Sequence, residues 1–242
     1  MPGSQAWLDL SERRRAATIV DRRVRDRFRL AHQLLRCSIA AYLNCRESEV
    51  PIIRDPMGKP KLAFPGTRLR FNLSHSCNLI AVALANDREV GIDVESTRSL
   101  SDPCAASLFG LAAAFDDTEA AALRGLPLRR MGSEVIRLWT LKEAFAKATG
   151  KGLALPLRAA RFPMARRAGT IEALGREAGI WSFRCIQVGE GEWLSAIIAG
   201  RNANTWIYLP GSNSRRALPQ GRRLFAHSLN MRNANYYSRS AL

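Results

Sequence analysis

Between residues 11 and 45 the apolar positions Ile19, Val20, Val24, Phe28, Ala31, Leu34, Leu35, Ile39 and Leu43 recur at three- and four-residue spacing. This period predicts one long helix, with Ser11 as its cap. The opposite face carries the arginines between positions 13 and 29, relieved only by Glu12, Asp21 and Asp26, and reads as a solvated surface. Residues 55–60, Asp-Pro-Met-Gly-Lys-Pro, have the punctuation of a tight turn. Apolar runs of strand length follow at 70–73, 79–84 and 90–94. Alanine-rich text from 101 to 123 favours helix, interrupted at 115–118, where Asp117 or Thr118 can cap a new helix near Glu119. A second strong helical period covers 135–148 and stops at Gly150. Short strands are expected near 159–162, 180–188 and 193–199. From residue 201 onward there are seven arginines, no acidic residue and no sustained apolar period, which predicts a flexible basic tail. Strands and helices mix in both halves, so the class is α+β or α/β, without a clean internal repeat. The chain divides into 1–88, 89–200 and a tail, 201–242.

Composition narrows the class of protein. The 242 residues are 47% apolar, enough to fill a core at this size. A net charge of +16 surrounds the protein with a field that attracts anions: nucleic acid, an anionic membrane, a phosphorylated ligand or an acidic protein. Five scattered cysteines, Cys37, Cys45, Cys77, Cys104 and Cys185, form neither a C-x-x-C pair nor a zinc spacing. They read as free thiols of a reducing cytosol. The longest apolar run, 79–85, is too short to span a bilayer, and the first residues do not read as a signal peptide. Of the basic residues 32 are arginine, so the five lysines at 59, 61, 142, 147 and 151 mark two stretches where a compact ammonium is wanted.

Four short blocks carry candidate chemistry. In Gly91-Ile92-Asp93-Val94-Glu95 the two-residue period of a strand places both carboxylates on one face. They repel each other unless a cation lies between them, and hard oxygen ligands suit Mg²⁺; surface charge is the alternative. In the helical block 138–147 Glu143 and Lys147 are i,i+4 neighbours, equally compatible with an ordinary surface pair. Trp139 and Phe145 anchor that helix, leaving Lys142, Glu143 and Lys147 to present a charged edge. In Phe71-Asn72-Leu73-Ser74-His75-Ser76 adjacent strand residues face opposite ways, so Ser74 and His75 cannot work as nucleophile and base. The block suits phosphate binding, or a histidine bonded to local backbone. Gly58-Lys59-Pro60, with Arg36 upstream, offers two further cations for a nucleotide bearing an extra phosphate.

In order and spacing, G-K-P at 58–60, F-N-L-S-H-S at 71–76, G-I-D-V-E at 91–95 and L-W-T-L-K-E-A-F-A-K-A-T-G-K-G-L at 138–153 resemble the motifs of the surfactin-type 4′-phosphopantetheinyl transferases. The resemblance covers residues from about 22 to 199. It implies an α+β fold of two similar subdomains in a pseudo-twofold arrangement, with coenzyme A in the cleft between them, so that a monomer builds its own site. It further implies that Asp93, Glu95 and Glu143 hold Mg²⁺ against the pyrophosphate. Arg36, Lys59, Ser74 and His75 would bind the nucleotide, with Arg23 as a further ligand of its 3′-phosphate. Lys142 adjoins the metal ligand, and Lys147 matches a pyrophosphate-binding lysine. The expected reaction moves the phosphopantetheine arm to a serine of an apo acyl or peptidyl carrier protein and releases 3′,5′-ADP. Glu143 would take the serine proton, while Lys147 and His75 stabilise the leaving group. Residues 107–115 depart from the family pattern and leave Glu119 without a role.

Two rival readings accompany this one. A nucleic-acid-binding protein would use the arginines between 13 and 29 and the tail to neutralise backbone phosphate; it accounts for the charge but not for three carboxylates. An inactive homologue would bind coenzyme A or a carrier without turnover. Neither a membrane nor nucleic acid is the expected partner.

Overall fold

The computed structural model describes residues 7–76, 79–99, 110, 112–173, 178–189 and 191–201, together with the backbone of 225–230. Cys77, Cys104 and residues 101–109 and 111 of the helix expected at 101–123 lie outside the described residues. Cys37, Cys45 and Cys185 are free thiols.

The stretch expected as one helix forms two, α1 (Leu10–Thr18) and α2 (Arg22–Leu43). Asp9, not Ser11, caps α1, through a box in which its carboxylate accepts from Glu12 N–H and Glu12 reaches back to Asp9 N–H. The break follows from two local effects. Thr18, Ile19 and Val20 are β-branched and poor helix formers. Asp21 then caps a new start by accepting from the N–H groups of Arg23 and Val24. Asn44, in left-handed conformation, ends α2.

Strands β1 (Ile52–Arg54) and β2 (Pro60–Leu62) form a small hairpin around the expected turn. The Asp55 carbonyl accepts from Gly58 N–H, and its carboxylate from Lys59 N–H. Strands β3 (Leu69–Ser76) and β4 (Leu79–Asn86) pair antiparallel. The first core lies between them and α2, with Leu34, Leu35 and Ile39 against Phe71, Ile80 and Val82. The other face of β4, Ala81, Ala83 and Ala85, packs on β5 (Val90–Ser96) and β8 (Glu192–Ala199) through Val90, Ile92, Val94, Leu194 and Ala196. Buried on both faces, β4 reads as a continuous apolar run.

The second half is a four-stranded antiparallel sheet in the order β5–β8–β7–β6, where β6 is Ala168–Ala173 and β7 is Gly179–Gly189. Its outer face carries the short α3 (Asp117–Arg124) and the long α4 (Leu128–Thr149). Asp116 caps α3, one residue earlier than expected, and Gly150 closes α4 at φ 77°, as anticipated. The strand anticipated near 159–162 is instead a 3₁₀ turn, Leu157–Ala159, followed by irregular chain. Within the presumed flexible tail, Phe225–Asn230 forms β9 and adds to the edge of β4. The fold is thus a mixture of helices and antiparallel sheets. No helix among the described residues is long and apolar enough to cross a membrane.

Candidate functional site

The site develops where β3, β5 and α4 meet. On β5 the side chains alternate: Val90, Ile92 and Val94 enter the core against β4, leaving Gly91, Asp93 and Glu95 on the face towards α4. Gly91 is the closest approach. A Cβ there would overlap the Ala144 carbonyl oxygen and stand 2.6 Å from Ala148 N, so the strand lies directly on the helix backbone. Asp93 is thereby brought opposite the turn of α4 that carries Lys147, whose Nζ donates to Asp93 Oδ1 at 2.6 Å and to Ser74 Oγ at 3.0 Å. Glu143 is partly exposed one helical turn before Lys147.

Strand β3 contributes the other wall. Ser74 donates to Asp93 Oδ1 at 2.8 Å, and Ser76 donates to Glu95 Oε2 at 2.7 Å. Asn72 Oδ1 accepts from Ile92 N–H at 2.9 Å, and Ser74 Oγ also lies 3.4 Å from Val94 N. The alternation expected of this strand therefore holds: Asn72, Ser74 and Ser76 turn to β5, and His75 faces away from them.

Electrostatics single out Asp93. It is only 3% exposed, and burial pushes its carboxyl up to about 6. Lys147 and Ser74 pull it down, while the charge of Glu95 pushes it up. Its second oxygen, Oδ2, is buried without a hydrogen-bond partner. His75 keeps an exposed rim, yet desolvation by the surrounding protein, followed by the cations of Arg27 and Lys147, holds its pKa below the usual imidazole value. The ring is accordingly uncharged at neutral pH.

Asp93 with its orphaned oxygen, Glu95 on the same strand face and Glu143 one turn from Lys147 are oxygen donors of the type a hard divalent cation takes. In the arrangement described, no three His, Cys, Asp or Glu side chains among the described residues already converge on a point. Lys147 and Ser74 occupy Asp93 Oδ1 instead.

Three residues expected at this site stand elsewhere or are otherwise engaged. Lys142 is 3% exposed and lies on the core side of α4, in an ion pair with Glu119. It also donates to the Ala160 carbonyl at 2.7 Å and lies over the Phe115 and Phe162 rings. Its ammonium is engaged by these protein groups in the arrangement described. Burial drives its pKa down, against the opposing pull of Glu119. Arg36, 1% exposed, donates to Glu12, Asp9 and the Glu47 and Val50 carbonyls. It ties α1 to α2 and the chain beyond, with its donors taken by protein. Lys59 Nζ donates to Glu89 and to the Ala148 carbonyl at the end of α4, both at 2.8 Å. It thus latches the β1–β2 hairpin onto the second half.

Glu119 acquires a definite place. Besides Lys142 it accepts from the N–H groups of Phe162 and Asp116. Gly91, Asn72 and Ser76 were not singled out from the sequence. A glycine inside a strand was the available signal for the first, and the period-two alternation of β3 for the others. A cavity of about 370 Å³ is lined in part by Glu12, His32, Arg54, Phe71 and Asn72.

Comparison with known proteins now adds to the geometry. Residues 89–198, which include β5, α4 and all but the last residue of β8, match the profile of the 4′-phosphopantetheinyl transferase superfamily. The 4′-phosphopantetheinyl transferase HetI of Nostoc sp. is 39% identical over 133 residues, 54% of this chain and 54% of the relative. The 4′-phosphopantetheinyl transferase Sfp of Bacillus subtilis is 30% identical over 129 residues, 53% of this chain and 54% of the relative. A phosphopantetheinyl transferase of Thraustochytrium sp. is 27% identical over a longer stretch of 209 residues, 80% of this chain and 71% of the relative. The chain thus spans about half the length of HetI and of Sfp.

Proposed function

We propose that this chain, whose residues 89–198 match the 4′-phosphopantetheinyl transferase superfamily, transfers the 4′-phosphopantetheine arm of coenzyme A to a serine of an apo acyl or peptidyl carrier protein. The observation that carries the proposal is the junction of Lys147, Asp93 and Ser74, which unites three of the four motif blocks in one cluster. In the reaction the carrier serine Oγ bonds to the β-phosphorus of coenzyme A, the bond from that phosphorus to the bridging oxygen breaks, and 3′,5′-ADP departs.

Each residue has a task in this reading. Glu143 accepts the proton of the serine hydroxyl, directly or through water. Lys147, now paired with Asp93, lies where its ammonium can turn to pyrophosphate oxygens, and neutral His75 donates N–H to the nucleotide side. Asp93, Glu95 and Glu143 would hold Mg²⁺, which when bound neutralises charge on the pyrophosphate. Phosphoryl transfer needs alignment and charge neutralisation more than covalent help, so this machinery suffices. Ser74 and Lys59 belong to the nucleotide side of the cleft. A long helix packs on an antiparallel sheet in each half, α2 on β3–β4 and α4 on β5–β8. This supports the doubled, pseudo-twofold arrangement and a monomer as the working unit. The +16 charge favours capture of an acidic carrier.

Incubation with coenzyme A, Mg²⁺ and a panel of apo carriers, followed by mass measurement of each carrier, tests the proposal. A gain of one phosphopantetheine on at least one carrier is expected. No gain on any carrier, together with no binding of coenzyme A, would overturn it.

A further inference from the structure

Strands β3 and β5 lie side by side but belong to different sheets. Side chains of β3 occupy the interval between them. Asn72 Oδ1 accepts the Ile92 N–H, the Ser74 hydroxyl meets Asp93 Oδ1, and the Ser76 hydroxyl meets Glu95 Oε2. The Ser74–Asp93 and Ser76–Glu95 pairs share a sequence separation of 19, while Asn72 reaches the backbone of Ile92. Asn72 and Ser74 are buried and Ser76 is half-buried.

We infer that Ser76 is a positioning residue for Glu95, and that Asn72 sets the register on β3 from which Ser74 and Ser76 reach the two carboxylates of β5. Two adjacent carboxylates on one strand face repel each other, and a side chain as long as glutamate has several rotamers in which to escape. A hydroxyl donating at 2.7 Å to Oε2 selects one rotamer. A partner of a metal-binding carboxylate commonly changes ion affinity by about 10–100-fold when removed. The inference rests on the reading of Glu95 as a cation ligand. Ser76 itself is assigned no contact with substrate.

The test uses the full-length protein with coenzyme A present. It follows Mn²⁺ binding by electron paramagnetic resonance of the free ion and, separately, coenzyme A binding without metal by calorimetry. Ser76→Ala is expected to weaken Mn²⁺ binding by about tenfold, leaving metal-free coenzyme A binding and the melting temperature near wild type. Ser76→Thr, which keeps the hydroxyl, is expected to restore most of the Mn²⁺ affinity. Glu95→Gln serves as the reference for loss of the ligand itself. Weakening in Glu95→Gln with wild-type affinity in Ser76→Ala would overturn the positioning role alone. Wild-type Mn²⁺ affinity in Glu95→Gln would overturn the underlying reading of Glu95 and the inference with it.

Discussion

Lys142 and Lys147, five residues apart on one helix, point into different worlds: the first into a buried ion pair with Glu119, the second to Asp93 at the cleft. At 100° per residue their side chains leave the helix far apart in angle. One helix thus anchors itself in the core with one lysine and serves the site with the other.

The two lysines should therefore fail differently. Lys142→Met leaves Glu119 charged and unpaired in the interior, and breaking a buried pair in this way costs about 3–5 kcal/mol. Urea denaturation should show that loss, while the fraction still folded binds coenzyme A normally. Lys147→Met also removes the partner of a buried carboxylate, Asp93, and should lower the urea midpoint, but its folded fraction should lose carrier modification by about a hundredfold or more, on the scale of a missing transition-state donor. Equal loss of coenzyme A affinity in both variants would contradict the assignment.

Asp93→Asn separates activity from stability. The wild-type carboxylate is buried and raised to about 6, so charge is held there at a cost. The amide should keep or raise the melting temperature and abolish carrier modification. A variant that modifies carriers at the wild-type rate would remove Asp93 from the proposed machinery.

Gly91→Ala should be destabilising without altering any polar group. The added methyl would meet the backbone of Ala144 and Ala148, and overpacking of this kind costs at least about 1–3 kcal/mol. Gly125→Ala is the control, because its nearest neighbour would be 3.6 Å away at ordinary contact. Calorimetric melting of the two variants should differ by several degrees.

Acid should loosen the α1–α2 junction through Glu12. Burial raises the Glu12 carboxyl, but hydrogen bonds from His32 and Arg36 outweigh it and leave the pKa below its ordinary 4.5. A depressed folded-state value means that the contribution is present above about 4.5 and fades as pH falls through the folded value. Urea midpoints between about pH 5 and pH 3 should drop more steeply for the wild type than for Glu12→Gln. Parallel curves would show that Glu12 does not carry this dependence.

Much of the arrangement was legible in residue order, and the exceptions have physical causes. The alternation in β3 and β5 and the closing glycine of α4 depend on local chain geometry, and so they could be read directly. The fate of Lys142 was also present: Leu138, Lys142 and Phe145 follow the i, i+4, i+7 stripe that enters the core. The charge of Lys142 hid that signal, because a lysine is rarely buried without a partner and Glu119 is 23 residues away. Arg36 was obscure for the same reason, since Glu12 and Asp9 reach it from another helix end. The break at residues 19–21 depends on Asp21 competing as a cap within an unbroken apolar period. Strand β6, with exposed residues at alternate positions, has too little apolar contrast to stand out.

The seam between β3 and β5 has a mechanical implication. Where peptide groups of two strands bond each other, separation disrupts a cooperative ladder; here the Ile92 and Val94 amides lean on one carboxamide and one hydroxyl. These amides should therefore exchange with deuterium sooner than their neighbours paired to β8, reporting the breathing of the cleft before either half unfolds.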